Sequence, residues 1–362
     1  MPRSPLFPLL QAAGAQFFDD QGYQVPASFG SVKDEHQALK SGVGLMDLSH
    51  RSRILVRGED APRFLHGMVT NEVKGLEVGQ GNYAFLLDVH GHILSDLRIF
   101  RLDAESYLLD GEPQRKETVW QALEHHIVAD IVELEDQTEP LACLALGGPC
   151  AREVLRETIG FDPPHMHPLE HLFVEAVSAR LIRAALWGDE GYWVLLPPDQ
   201  AGALWQKAMQ AGASLGIRPA GFKAVEVCRM EAGIPRYGVD MDDKTLPQET
   251  GQMHAISFTK GCYIGQEVVE RIRSQGHVNR KLVGLLFEGE PKVPAGTGIL
   301  VGGHPAGTVT SSTHSYRLQR TIALGYLRRE YAQAGTAVMV GTDPAEIVEL
   351  PFPVAWRNYA LS

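Results

Sequence analysis

Apolar positions over the first 280 residues alternate between two spacings. A strand begins near Arg53, where Ile54 and Val56 alternate with Arg53 and Leu55. Residues 83–87 and 93–102 form two further β runs around His90 and Gly91, which predicts a hairpin with a loop longer than the tight two-residue kind. Between residues 112 and 129 the spacing changes to the helical period, with Val119, Trp120, Leu123, Ile127 and Val128 on one face. Further helices are predicted from Asp34 to the glycines 42 and 44, from Asp60 with Pro62 in its first turn, and over 149–159, 199–213, 221–232 and 265–276. Strands are predicted at 141–146, 179–186 and 192–196. After Asn279 the chain reads as short strands separated by glycines, at 282–287, 298–301, 307–312, 322–327 and 337–340. Such a run implies a small sandwich or barrel. The whole is an α+β chain rather than a doubly wound parallel sheet. It divides into a body, 1–278, and a β-barrel domain, 279–362.

Composition narrows the function classes. At 362 residues, with 44% hydrophobic and 21% charged positions, the chain is an ordinary globular protein of about two domains. A net charge of -11 argues against a general nucleic-acid binder, which needs clustered cations to replace phosphate counterions. The apolar patch 6–18 is broken by Pro8 and Gln11 and runs into Asp19 and Asp20, so it reads as an N-terminal helix. No apolar run approaches the ~20 residues that span a bilayer. Cys143, Cys150, Cys228 and Cys262 form no C-x-x-C pair, which sets aside zinc and thioredoxin-like readings and suits a reducing cytoplasm.

Several residues invite chemistry. Cys262 lies between two glycines in K-G-C-Y-I-G-Q-E, residues 260–267, just before a helix. There it would feel positive potential from the helix terminus and from Lys260; the plain alternative is a small buried residue. Asp96 in S-D-L-R reads, taken alone, as an outward strand aspartate beside Arg98. Arg229 stands among Val225, Val227, Cys228 and Met230, a costly place for a charge unless it is paired with Glu226 or Glu231 or meets an anion. Tyr83 suits stacking on a flat ring equally with packing in the core. His165, His167 and His171 sit in a proline-broken loop and read as solvated, with no metal site implied. The glycine pairs 147–148 and 302–303 lack the lysine and context of a phosphate loop.

The K-G-C-Y-I-G-Q-E stretch closely resembles the signature of the folate-binding YgfZ family, relatives of the T-protein (aminomethyltransferase) of glycine cleavage. E-H-Q-A-L-K-S-G-V-G-L-M-D-L-S-H, ending at His50, G-H-I-L-S-D-L-R-I-F at 91–100, R-M-E-A-G at 229–233 and L-P-Q-E at 246–249 resemble other segments of that superfamily. The resemblance implies a three-lobed body around a channel that holds tetrahydrofolate. Asp96 then sits against the reactive nitrogens of folate, and Arg229 and Tyr83 contact the ligand. It also exposes two departures. The glutamate with which T-proteins grip the pterin falls on Trp193, and the asparagine expected after Leu109 is Asp110. The expected function is therefore that of a cytoplasmic, tetrahydrofolate-binding YgfZ-like protein with iron–sulfur client or assembly proteins as partners. Asp96 and Cys262 are its chemical residues, and Asp96, Arg229, Tyr83 and Trp193 are its folate contacts. The alternatives are a folate-dependent aminomethyltransferase and a non-catalytic scaffold.

Overall fold

Ser31 opens the helix Val32–Ser41: its Oγ accepts the N–H of Asp34 at 3.2 Å, and Asp34 and Glu35 occupy the first turn. The computed structural model describes residues 3–184 and 190–352. The helix stops at Gly42, as predicted, but a strand absent from the sequence reading, Val43–Asp47, follows at once. All five of its residues are buried, so it lacks the alternation that betrays a half-exposed strand. Gly44 lets the strand pack close under the preceding helix, since a Cβ would fall 2.2 Å from Leu39 Cδ2 and displace that side chain. The strand lies fifth in a six-stranded sheet ordered His171–Val174, Ala179–Arg183, Gly191–Leu196, Ala142–Gly147, Val43–Asp47, Ile217–Pro219. Only the last pairing is parallel.

A second, fully antiparallel sheet runs Gly81–Leu87, Ile93–Arg101, Ser106–Gly111, Ser52–Arg57, Glu133–Asp136. Its first pair is the predicted hairpin. In Ile93–Arg101 the period-two pattern buries Ile93, Ser95, Leu97 and Ile99, and puts Leu94, Asp96 and Arg98 on the other face. Tyr83 is opposite Arg98, and Phe85 is opposite Asp96. The Ser106–Gly111 strand has five consecutive buried residues and was not foreseen.

The last quarter of the chain closes into a six-stranded barrel ordered Arg280–Phe287, Arg320–Arg328, His304–Ser315, Gly298–Val301, Ala337–Val340, Asp343–Val348. That is one strand more than the five predicted. Polar contacts fasten barrel to body: Thr310 Oγ1 and Ser311 Oγ each donate to Asp240 at 2.6 Å, and Ser315 Oγ donates to Glu231 at 2.7 Å. The N-terminal patch is a short helix, Phe7–Ala12, followed by a strand, Gln16–Asp20, that pairs with Tyr23–Ser28. Gly14, at φ 87, ends the helix earlier than its hydrophobicity suggested. The turn residues Gly188 and Asp189, the end of the predicted 179–186 strand, and 353–362 of the tail lie outside the described residues. Among the described residues, no helix is long and apolar enough to cross a membrane.

Candidate functional site

The two sheets, the Phe222–Glu231 helix and the segment 234–236 enclose a cavity of about 420 Å³, within the range of small-molecule sites. Tyr83, Asp96 and Arg229 line it, together with His50, Arg51 and Arg98. Asp96 points in from the hairpin. Tyr83 donates its hydroxyl to Asp96 Oδ2 at 3.0 Å, while Oδ1 is buried with no hydrogen-bond partner among the described residues. Burial first, and then the charge of Glu112, raises the carboxyl above its ordinary range against the opposing pull of Arg98 and Arg51. An orphaned carboxylate oxygen in a cavity wall is costly unless a ligand donor meets it. Tyr83 thus acts as the residue that holds Asp96; its ring also stacks against His254, 5.5 Å between centroids.

Arg229 lines the cavity, but its planar fork is already engaged. Nε and Nη2 donate to the two oxygens of Glu226 at 2.9 and 2.7 Å, and Nη1 donates to Asp240 at 2.7 Å and to the Ile234 carbonyl at 2.8 Å. The expected carboxylate-reading arginine is therefore paired within the fold, the structural alternative the sequence left open. The partner is Glu226 with Asp240, not Glu231. Glu226 itself lines the cavity. Glu231 instead meets His36 Nε2 at 3.0 Å.

Trp193 does not reach the cavity wall. It is 1% exposed, beneath the guanidinium groups of Arg98 and Arg51, which lie 5.0 and 5.8 Å from its ring centroid. As a direct folate contact it is corrected to a support for the cations above it.

Cys262 is exposed, so the buried alternative fails. It is also absent from the residues lining the cavity, and the structure does not bring it together with Asp96. The expected sources of potential change as well. The helix Gln266–Gln275 starts four residues after Cys262, behind an N-cap, Gly265, in a left-handed conformation. The Lys260 amine turns inward and donates to the carbonyls of His66, Val69 and Asn71 at 2.5, 2.6 and 2.8 Å. Lys260 anchors the loop rather than facing the thiol. Gly265 packs the same loop on the hairpin turn, since a Cβ there would lie 2.6 Å from the Asp88 carbonyl.

Sequence reasoning missed the polar wall opposite the helix. Arg51 donates to Asp110 and to Glu112, both at 2.7 Å. Burial alone would raise the Glu112 carboxyl; Arg51 and Arg236 more than offset it and hold it below its ordinary range. The His50 imidazole is pushed down to about 4 by burial and by Arg51, so it is neutral at physiological pH. A signal was present in the arginines 51 and 53, which flank a run otherwise bound for the core. Of the loop histidines, His171 is buried and its Nδ1 accepts from Arg180 at 2.9 Å, while His165 and His167 are exposed.

Comparison with known proteins covers nearly the whole chain. The family described as GCVT N-terminal domain matches residues 6–260, and that described as glycine cleavage T-protein C-terminal barrel domain matches 280–352. A protein of Rubrobacter xylanophilus named aminomethyltransferase is 34% identical over 98% of this chain and 95% of its own length. An aminomethyltransferase of Geobacillus kaustophilus is 32% identical over 97% and 98%. The crystal structure of glycine cleavage system aminomethyltransferase T from Bartonella henselae superposes with a TM-score of 0.90 at 26% identity, over 97% of this chain and 98% of that one. These names correspond to the aminomethyltransferase alternative and carry no iron–sulfur role. With both family domains matched, the chain belongs to the glycine cleavage T-protein family.

Proposed function

We propose that the cavity binds tetrahydrofolate with Asp96 against its reactive nitrogens, and that the chain uses this folate in support of iron–sulfur enzymes, in the manner of the YgfZ branch of the family. The observation that carries the folate reading is the buried, unpartnered Asp96 Oδ1 in the wall of a cavity of about 420 Å³. A carboxylate so placed accepts an N–H of the ligand and stabilises positive charge developing at an adjacent nitrogen. The cavity belongs to the body, 1–278, with the barrel from 279 onward packed on it. The YgfZ reading is supported by the exposed Cys262 thiol on its anchored loop and by Trp193 at the place of the pterin-gripping carboxylate. Aminomethyl transfer is the second reading, favoured by the names of the full-length relatives.

One pair of assays separates them. The purified chain is incubated with tetrahydrofolate and an aminomethylated lipoyl carrier, and ammonia and methylenetetrahydrofolate are measured. In parallel, Cys262→Ser is tested for its ability to restore iron–sulfur enzyme activity in cells that lack the protein. We expect no turnover in the first and failure to restore in the second. Robust turnover with full restoration by Cys262→Ser overturns the YgfZ reading in favour of aminomethyl transfer.

A further inference from the structure

The two departures that the sequence presents as losses, Asp110 and Trp193, converge on one residue, Arg98. Across the second sheet Tyr83, Arg98, Asp110 and Arg53 are successive register partners in one row. Asp110 serves three guanidinium groups: Arg51 Nε at 2.7 Å, Arg53 Nε at 3.7 Å and Arg98 Nη1 at 3.8 Å. Arg51 is completed by Glu112, and Arg53 by the carbonyls of Leu48 and Leu141 at 2.9 and 3.2 Å. Arg98 differs from both. Its side chain is only 15% exposed and lines the cavity, yet it reaches no hydrogen-bond acceptor among the described residues. Trp193 lies under it at 5.0 Å, a flat support that holds a guanidinium without taking its N–H groups. A carboxylate in place of Trp193 would pair with that guanidinium and occupy those donors.

Asp96 and Arg98 are two residues apart on one strand, so they share a face and stand about 7 Å apart along it. One offers an unmet acceptor and the other unmet donors. A tetrahydropterin carries the complement on a single edge, where the N5–H donor neighbours the C4 carbonyl acceptor. We propose that this pair reads that edge: Asp96 Oδ1 accepts the N5–H and Arg98 donates to the C4 oxygen, which selects 4-oxo over 4-amino pteridines. Trp193 and Asp110 position Arg98 for this task. The inference rests on the folate reading and names a donor contact to the C4 oxygen, opposite in polarity to the N–H-accepting grip of the lost glutamate.

The test is anaerobic calorimetry on the full chain with two probes, tetrahydrofolate and tetrahydroaminopterin, in which a 4-amino group replaces the carbonyl. Wild type binds tetrahydrofolate roughly ten- to a hundredfold tighter than the 4-amino compound, the range set by one charged hydrogen bond. Arg98→Met weakens tetrahydrofolate by a similar factor and closes the gap between the probes, whereas Arg98→Lys keeps part of the preference. Equal binding of both probes by wild type overturns the inference even where a variant fails to fold. A preference unchanged in Arg98→Met, with its thermal melt intact, overturns it too. Absence of tetrahydrofolate binding by wild type is a different result, since it removes the folate reading itself and this inference with it.

Discussion

Lys260 separates two accounts of the signature loop, electrostatic activation of Cys262 and mechanical anchoring. The residue is 8% exposed, and its amine donates to three carbonyls on the segment 66–71. Hydrogen bonds from a charged donor contribute ~1.5–3 kcal/mol each. Three at the lower figure sum to about 4.5 kcal/mol, and desolvation of the ammonium offsets part of that. Lys260→Met fills the same volume, removes all three bonds and leaves the carbonyls buried. A net loss of about 3 kcal/mol is expected, which lowers the melting temperature of a chain this long by roughly 4 °C. Thermal and urea unfolding of the full chain measure the loss. Iodoacetamide labelling of Cys262, well below the melting point, measures the thiol. The anchoring account expects a lower melting temperature and a labelling rate within about twofold of wild type. An unchanged melting temperature with labelling slowed roughly tenfold or more refutes it and restores the activation account, because the tenfold change corresponds to ~1.4 kcal/mol in the thiolate's favour.

Arg229→Ala leaves the buried Asp240 without its cation and Glu226, which is 22% exposed, with only the more distant Arg236 at 3.7 Å, which costs about 3 kcal/mol and loosens the link from Asp240 to the barrel. A wild-type melting temperature with lost folate affinity would instead make Arg229 a direct ligand contact. Burial holds the Asp96 carboxyl above its ordinary value, so the folded state takes up this proton at a higher pH than the unfolded chain. The ionised group therefore costs stability at neutral pH, and Asp96→Asn should melt no lower than wild type while binding tetrahydrofolate roughly ten- to a hundredfold more weakly. As pH falls through the raised value, wild-type affinity drops in an interval above pH 3.8, and the Asn variant shows no such drop; calorimetry across pH reads both.

The parts of the fold that sequence exposed are those with one wet face. Ile93–Arg101 was visible because its buried and lining residues alternate, and Gln266–Gln275 because charge order and glycine mark its ends. Val43–Asp47 and Ser106–Gly111 were invisible because burial on both faces erases the period of two. At the site, resemblance placed Asp96, Tyr83 and Arg229 on one cavity, as the structure does. Their division of labour was not readable. Whether Arg229 meets a ligand or Glu226 is decided by side-chain geometry three residues along a helix. That Trp193 supports Arg98 depends on two sheets facing each other, a relation no local spacing encodes. Lys260 illustrates the same limit: two residues from Cys262 in sequence, its amine is bound to a segment nearly two hundred residues away.

The central claim is that Asp96 meets the pterin of tetrahydrofolate inside the cavity. A crystal structure of the chain with tetrahydrofolate bound tests it directly. The account predicts the pterin in the cavity with N5 at about 2.7–3.2 Å from Asp96 Oδ1, the now-satisfied orphan. A folate bound elsewhere on the surface, or seated in the cavity with Asp96 Oδ1 still unpartnered, contradicts it.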